Sequence, residues 1–229
     1  MPRSSDPRDV QQLPPGRHGL SRKFVVENQR ERILAAVADV TSAASYVEMT
    51  VEDIIVCAGI SRRTFYEHFK NKEAAFLAAY DAIVAQLFAD VLAAIDAETG
   101  FPARVRAGLG AFLEFVADEP AFARMCIVEV LSAGPEAVLR RGAAMSAFAQ
   151  LLQENATSLL DDTTTTPLTS ETIVGGIYEV LYTRVLRGEI RQLPDLLPDL
   201  AYSALLPYIG VEAAAEERRA LEQAGPAAT

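Results

Sequence analysis

Apolar residues in this chain recur at intervals of three and four, and no segment shows the strict alternation of a half-buried strand. The pattern predicts helices from end to end. A first helix is expected over about residues 25 to 43, with Ile33, Leu34, Val37 and Val40 on its buried side. A long helix starts at Lys72 and ends near Glu98. Its stripe of Phe76, Tyr80, Ile83, Leu87 and Val91 is doubled by Leu77, Val84, Phe88 and Leu92, which suits a helix bridging two bodies. Breaks follow at Gly100 with Pro102, Glu119 with Pro120 and Gly134 with Pro135, and the run DDTTTTP from Asp161 to Pro167 reads as a loop. Two last helices are expected over about residues 170 to 187 and 194 to 209. Gly188 stops the first, and Pro194 and Pro198 suit the opening turn of the second.

Between the first helix and the long one lies TVEDIIVCAGISRRTFYEHFKNK, residues 50 to 72. Thr50 followed by Asp53 has the form of a helix start, because a threonine oxygen accepts from unpaired amides while an acid favours the positive helix end. This short helix is expected to run to Ala58. Gly59 takes positive φ without strain, Ile60 plugs the turn, and Ser61 caps the next helix. In SRRTFYEHF, at about 100° per residue, Phe65 and Phe69 fall on one side as core anchors. The other side carries Arg63, Thr64, Tyr66 and Glu67, flanked by Arg62 and His68. A guanidinium grips guanine O6 and N7 in a fork, while tyrosine, threonine, histidine and lysine commonly hold phosphates. This is the chemistry of a recognition helix, although a merely solvated polar face has the same composition.

The stretch resembles the DNA-binding signature of the TetR family, whose spacings are met by Thr50, Ile54, Ala58, Gly59, Ile60, Ser61, Thr64, Tyr66, His68, Phe69 and Lys72. Two positions depart. Ile55 stands where the family usually has alanine, and Ser45 replaces a glycine, raising the cost of a left-handed cap by up to ~1 kcal/mol. The resemblance implies an all-α fold: an N-terminal three-helix helix-turn-helix domain, residues 23–72, plus a larger helical ligand-binding and dimerisation domain, residues 73–211. It further implies a ligand-responsive homodimeric repressor that reads a pseudo-palindromic operator on double-stranded DNA. In that reading Arg63 contacts a base and Thr50, Tyr66, His68 and Lys72 position phosphates. Ser61, Arg62 and Thr64 stand beside them, and Glu67 accepts from cytosine or rejects other bases. Arg17 and His18, in a basic arm over residues 1–22, are placed to reach a neighbouring minor groove.

A cavity for a small apolar or amphipathic effector is implied in the larger domain. Candidate lining residues are Phe112, Phe115, Phe122, Met125, Glu129, Phe148, Leu152, Tyr178 and Tyr182, each of which also reads as ordinary core. A glutamate facing such a pocket would select a cationic or hydrogen-bonding ligand. The last two helices are expected to pair with their two-fold mates through Ile173, Gly176, Ile177, Val180 and Leu181 on one and Leu196, Leu200, Ser203 or Ala204, and Pro207 on the other. Packing within the chain is the competing reading. Residues 212–229 are expected to fray.

The net charge of −10 argues against a nucleic-acid partner only until it is divided along the chain. Residues 1–72 carry 11 Lys and Arg against 9 Asp and Glu, so the acid is concentrated beyond the reading head. Phosphate attraction depends on charges near the duplex, and an acidic body is compatible with it. Two histidines, one of them in the arm, leave little for a catalytic or metal centre, so no enzyme, metal or cofactor is expected. Gly108-Leu109-Gly110 lacks the third glycine of a dinucleotide fingerprint and lies in a helical pattern. Cys57 and Cys126, the only cysteines, fall in different regions, which speaks against a disulfide. No secretory signal is apparent at the start, and Asp81, Gln86 and Asp90 interrupt the longest apolar run, so a cytoplasmic location without a membrane partner is expected. The competing functions are a helical small-molecule binder that does not read DNA and an enzyme on a helical scaffold.

Overall fold

The computed structural model describes residues 22–160 and 165–224, and every regular element among them is helical. In chain order these are α1 (Arg22–Ala44), α2 (Val51–Ala58), α3 (Arg62–His68), α4 (Lys72–Asp96), α5 (Phe101–Asp118), α6 (Pro120–Ile127), α7 (Pro135–Leu159), α8 (Pro167–Leu186) and α9 (Leu197–Ala224). Short 3-10 segments over Glu129–Leu131 and Ile190–Leu196 join α6 to α7 and α8 to α9. The all-α class is as expected. Helix starts follow local chemistry: Thr50 and Asp53 form a capping box at α2, Asn71 accepts from the Ala74 amide at α4, and prolines open α5, α6, α7 and α8.

The end of the chain departs from expectation. An α-helix begins only at Leu197, and Gly210, at φ 80°, kinks it. Beyond the kink the chain is helical to Ala224 and does not fray as expected. Ala214 is completely buried in a cluster with Phe101 and Leu205, and Glu217 pairs with Arg106 at 3.2 Å, so the segment is tied to α5.

The expected boundary at residue 72 also needs revision, because one core runs across it. Ile33 and Val37 of α1, Ile54 of α2, Phe65 of α3 and Phe76 and Ala79 of α4 are buried together with Met125 of α6 and Val130, Ala133 and Ala137 beyond it. Truncating a buried phenylalanine such as Phe65 typically costs about 3–5 kcal/mol, so this cluster fixes the head on the body. The helix α4 is long and apolar enough to cross a membrane by composition. Its apolar sides meet α1 at one end and α5, α6 and α7 further along, the arrangement expected of a bridging helix. Against α5 the approach is very close: a Cβ added at Gly108 would lie 2.8 Å from the Ile95 side chain, which would have to shift, so close packing accounts for the glycine without a dinucleotide.

Candidate nucleic-acid interface and effector cavity

The head presents α3 as read from the sequence. Gly59 adopts φ 60° and ψ 42°, and the amides of Gly59 and Ile60 close the end of α2 on the carbonyls of Val56 and Ile55. Arg32 of α1 adds hydrogen bonds to the carbonyls of Ala58 and Gly59, a brace that spans 26 residues of sequence and carries no local signal. Ser61 accepts from the Thr64 amide at 3.0 Å, and its hydroxyl shares a second hydrogen bond with that of Thr64. Phe65 and Phe69 are buried. The opposite face exposes Arg62, Arg63, Tyr66 and Glu67, with the His68 and Thr64 side chains half-buried at its edges. The Arg63 side chain is 88% exposed and reaches Glu67 at 2.9 Å, while Arg62 pairs with Glu52 of α2. Four of the residues named for DNA contact thus share one accessible face.

Others on that roster have different work. The Thr50 hydroxyl donates to Asp53 and accepts from the Asp53 amide, so it is committed to the α2 cap. Those hydrogen bonds, from the Thr50 hydroxyl first and its amide second, hold the Asp53 carboxyl below the ordinary value. Lys72 does not point outward as expected of a phosphate contact. Its three ammonium hydrogens face the carbonyls of Met49, Tyr46 and Val47 at 2.8, 3.0 and 3.3 Å, and its Nζ lies 4.8 Å from the centre of the Tyr46 ring. Arg17 and His18 lie outside the described residues.

The turn that Lys72 grips is held from the other side by Glu129. This residue, expected in the cavity, is 5% exposed and accepts from the Tyr46 amide at 2.9 Å. Arg124 stands 3.4 Å away through Nε, close enough for charge attraction but without hydrogen-bond alignment. The turn itself is strained. Ser45 has φ 75°, the position where glycine was expected on grounds of cost. A left-handed serine is thus clamped by a lysine from α4 and a glutamate from the body.

The cavity lies between α4, α5, α6, α7, α8 and α9, has a volume of about 190 Å³, and has almost wholly apolar walls. Of the expected lining residues Phe112, Phe115, Phe122, Phe148, Leu152 and Tyr178 are present. Met125 is instead fully buried in the core shared with the head, one position out of phase, and its neighbour Cys126 faces the cavity. Tyr182 packs among Leu113, Leu181 and Leu193. Burial pushes the Cys126 thiol up to about 12, which keeps it protonated and unreactive.

Polar groups enter this wall at two places. At one end Arg104 donates to the Glu98 carbonyl and to the Asn155 side chain, both at 3.1 Å. At the other, Arg141 stacks on the Tyr178 ring with its guanidinium carbon 3.8 Å from the centroid. Burial raises the Tyr178 phenol, and Arg141 offsets part of that shift. Neither arginine was singled out from the sequence. Arg141 had a signal, since with Met145, Phe148, Leu152 and Asn155 it falls on one helical stripe.

The expected dimer stripe is largely consumed within the chain. Leu181, Leu200 and Ala204 are buried, Ile173, Ile177, Leu181 and Ala204 line the cavity, and Leu196 packs on the Leu193 cluster. The apolar phase of α8 faces its own body, so of the residues expected on that helix only Gly176 and Val180 are exposed. The accessible stripe is Leu168, Thr172, Gly176 and Val180, with Ser203 and Pro207 exposed on α9.

A helix-turn-helix with a polar, accessible second helix, fixed on a helical body that holds an apolar cavity, is the arrangement these elements define. Comparison with known proteins narrows this. Residues 33–79 match the model of the family described as bacterial regulatory proteins, tetR family. The match takes in the whole helix-turn-helix, so the head of this chain is similar to the DNA-binding domains of that family. Over 111 residues the chain is 31% identical to the HTH-type transcriptional regulator EthR of Mycolicibacterium smegmatis, a match covering 48% of this chain and 51% of that one. The chain therefore matches about half the length of that curated relative. Among solved structures, the fatty acid degradation regulator FadR from Bacillus halodurans superimposes with a TM-score of 0.68 at 18% identity, covering 76% of this chain and 97% of its own. FadR from Bacillus subtilis, solved in complex with stearoyl-CoA, gives 0.68 at 17% identity, covering 80% and 99%. At such identities the likeness is one of fold, and it extends over both head and body.

Proposed function

We propose that this protein is a cytoplasmic, homodimeric transcriptional repressor that binds a pseudo-palindromic operator and is released by a small apolar or amphipathic effector. The observation that carries the reading is the position of α6. Met125 sits in the core of the DNA-binding head, while Phe122 and Cys126 on the same helix line the cavity. The turn that follows supplies Glu129 to the Tyr46 amide. A ligand that moved α6 would act on the head with no intermediate element. Moving the equilibrium from 1:99 to 99:1 takes ~5.5 kcal/mol of differential binding, which an apolar cavity of this kind supports by burying a ligand.

In this reading Arg63 reads a base, Arg62 and Tyr66 hold backbone, and Glu67 selects against bases that offer it no donor. Dimerisation uses the exposed stripe of α8 with Ser203 and Pro207 of α9, where small residues let helices approach. The fatty-acyl ligand of the Bacillus subtilis neighbour supports an apolar chain as occupant. Genome-wide mapping of bound sites, followed by footprinting, tests the proposal. Protection of two half-sites one helical turn or a multiple apart is expected. Arg63→Ala should weaken binding by ~1–3 kcal/mol and relax sequence preference at one position of each half-site. Unchanged preference would remove Arg63 from base readout, and absence of any salt-dependent binding to promoter DNA would favour a ligand-binding protein that does not read DNA.

A further inference from the structure

Two arginines border the cavity, and their surroundings differ. Arg104 is satisfied by the Glu98 carbonyl and by Asn155, whose own amide donates to the Leu151 carbonyl. Arg141 has no carboxylate within ion-pair distance among the described residues, and its Nε is buried without a hydrogen-bond acceptor. The preceding residue sharpens the contrast: Arg140, one step around α7, points outward and pairs with both Asp81 and Glu136. Arg141 is half-buried, its Nε is shielded from water without an acceptor, and the ring of Tyr178 is the contact that covers the guanidinium. Around Arg141 the cavity offers the ring of Tyr178, with Tyr80 and Cys126 from α4 and α6. Both phenols and the thiol are held in their neutral forms by burial. The carboxylate nearest in sequence to these groups, Asp81 beside Tyr80 on α4, is paired with Arg140 and not with Arg141.

From Arg141 the wall continues along α7 through Met145, Phe148 and Leu152 to Asn155. The fourteen helical steps from Arg141 to Asn155 span about 21 Å at the helical rise. The wall thus carries at each end an arginine with no carboxylate partner among the described residues, with hydrocarbon between them, and of the two only Arg141 keeps a buried donor without an acceptor. We propose that the cavity is built for an amphiphile with an anionic head, a carboxylate on an unbranched apolar chain, and that Arg141 is the residue that holds the head. The carboxylate receives the guanidinium in a two-pronged contact while Tyr178 keeps the plane of the guanidinium fixed from behind. The chain lies against Phe148 and Leu152. This rests on the reading of the cavity as the effector site and adds the chemical class of the effector.

The test measures binding of octanoate, laurate and palmitate to the full chain, each beside the alcohol of equal length, by calorimetry. The expected result is that the acid binds more tightly than its alcohol by roughly tenfold to a hundredfold, the range of one charge-assisted contact. In Arg141→Met the preference disappears while the alcohols keep their affinity, and in Arg141→Lys part of it remains. The acid-to-alcohol ratio in the unaltered protein decides the matter even where Arg141→Met does not fold. Equal binding of acid and alcohol to the unaltered protein overturns the proposal and leaves the cavity as a ligand site. Binding of neither acid nor alcohol overturns the effector-site reading itself. A surviving acid preference in folded Arg141→Met assigns the head to another residue and overturns the role of Arg141.

Discussion

Replacing Glu129 with alanine probes the joint between body and head. The carboxylate is 5% exposed and receives the Tyr46 amide at 2.9 Å, a contact between a neutral donor and a charged acceptor across 83 residues of sequence. Such a hydrogen bond contributes about 1.5–3 kcal/mol. The second partner, Arg124, stands 3.4 Å away with its side chain 38% exposed, so solvent screening limits its share to about 0–1 kcal/mol. Glu129→Ala should therefore lower stability by about 2–4 kcal/mol, read as a fall in the urea midpoint at unchanged slope. Glu129→Gln keeps an acceptor oxygen and should lose less than half of that. Because the amide belongs to the turn that leads into α2, operator affinity should also fall in the alanine variant under conditions where it remains folded. A loss within about 0.5 kcal/mol of zero, the range of ordinary surface changes, would refute the reasoning and show that water satisfies the Tyr46 amide equally well.

Other consequences are equally direct. Lys72→Met removes the donor for three carbonyls and should destabilise the head by about 1–3 kcal/mol; unchanged stability with a weaker, less salt-dependent DNA complex would restore Lys72 as a phosphate contact. Asp53 has a depressed carboxyl, so its stabilising contribution is present above the unfolded value of 3.8 and is lost as pH falls below it through the folded value. Asp53→Asn should accordingly flatten the acid limb of the stability profile measured between neutral pH and the onset of acid unfolding. Ser45→Gly should relieve the left-handed strain and, after the added chain entropy of glycine, raise stability by up to ~1 kcal/mol in denaturant titration.

The parts of this molecule legible in the sequence are those fixed by local chemistry. Gly59 in a left-handed turn, Ser61 and Thr50 as caps, and Phe65 opposite Arg63 follow from spacing and side-chain type, and each stands as read. The cavity was legible at the level of aromatic stripes, but phase errors of one position placed Met125 on the wrong wall. The same error placed Leu181 and Ala204 on an outer face, because a helix that is apolar on several sides does not declare which side meets which neighbour. Lys72 and Glu129 were misread for another reason. Their partners lie 26 residues and 83 residues away, and a charged residue looks exposed until the acceptor that holds it is known. Arg140 and Arg141 look alike on paper. The 100° turn between them sends one to solvent carboxylates and the other into hydrocarbon.

Under the proposed DNA-binding role, the ion pairs of Arg62 with Glu52 and Arg63 with Glu67 would shape how α3 searches for its site. Each cation meets a duplex already holding an internal anion, so docking is an exchange of partners and sheds fewer dissolved ions than bare arginines would. On unrelated sequence the displaced glutamates face phosphates and repel them, and the encounter ends quickly. In that role only a site that gives Arg63 a guanine and the freed Glu67 carboxylate a donor would make the exchange favourable, so Glu67 would convert a general attraction for DNA into short visits everywhere except the operator.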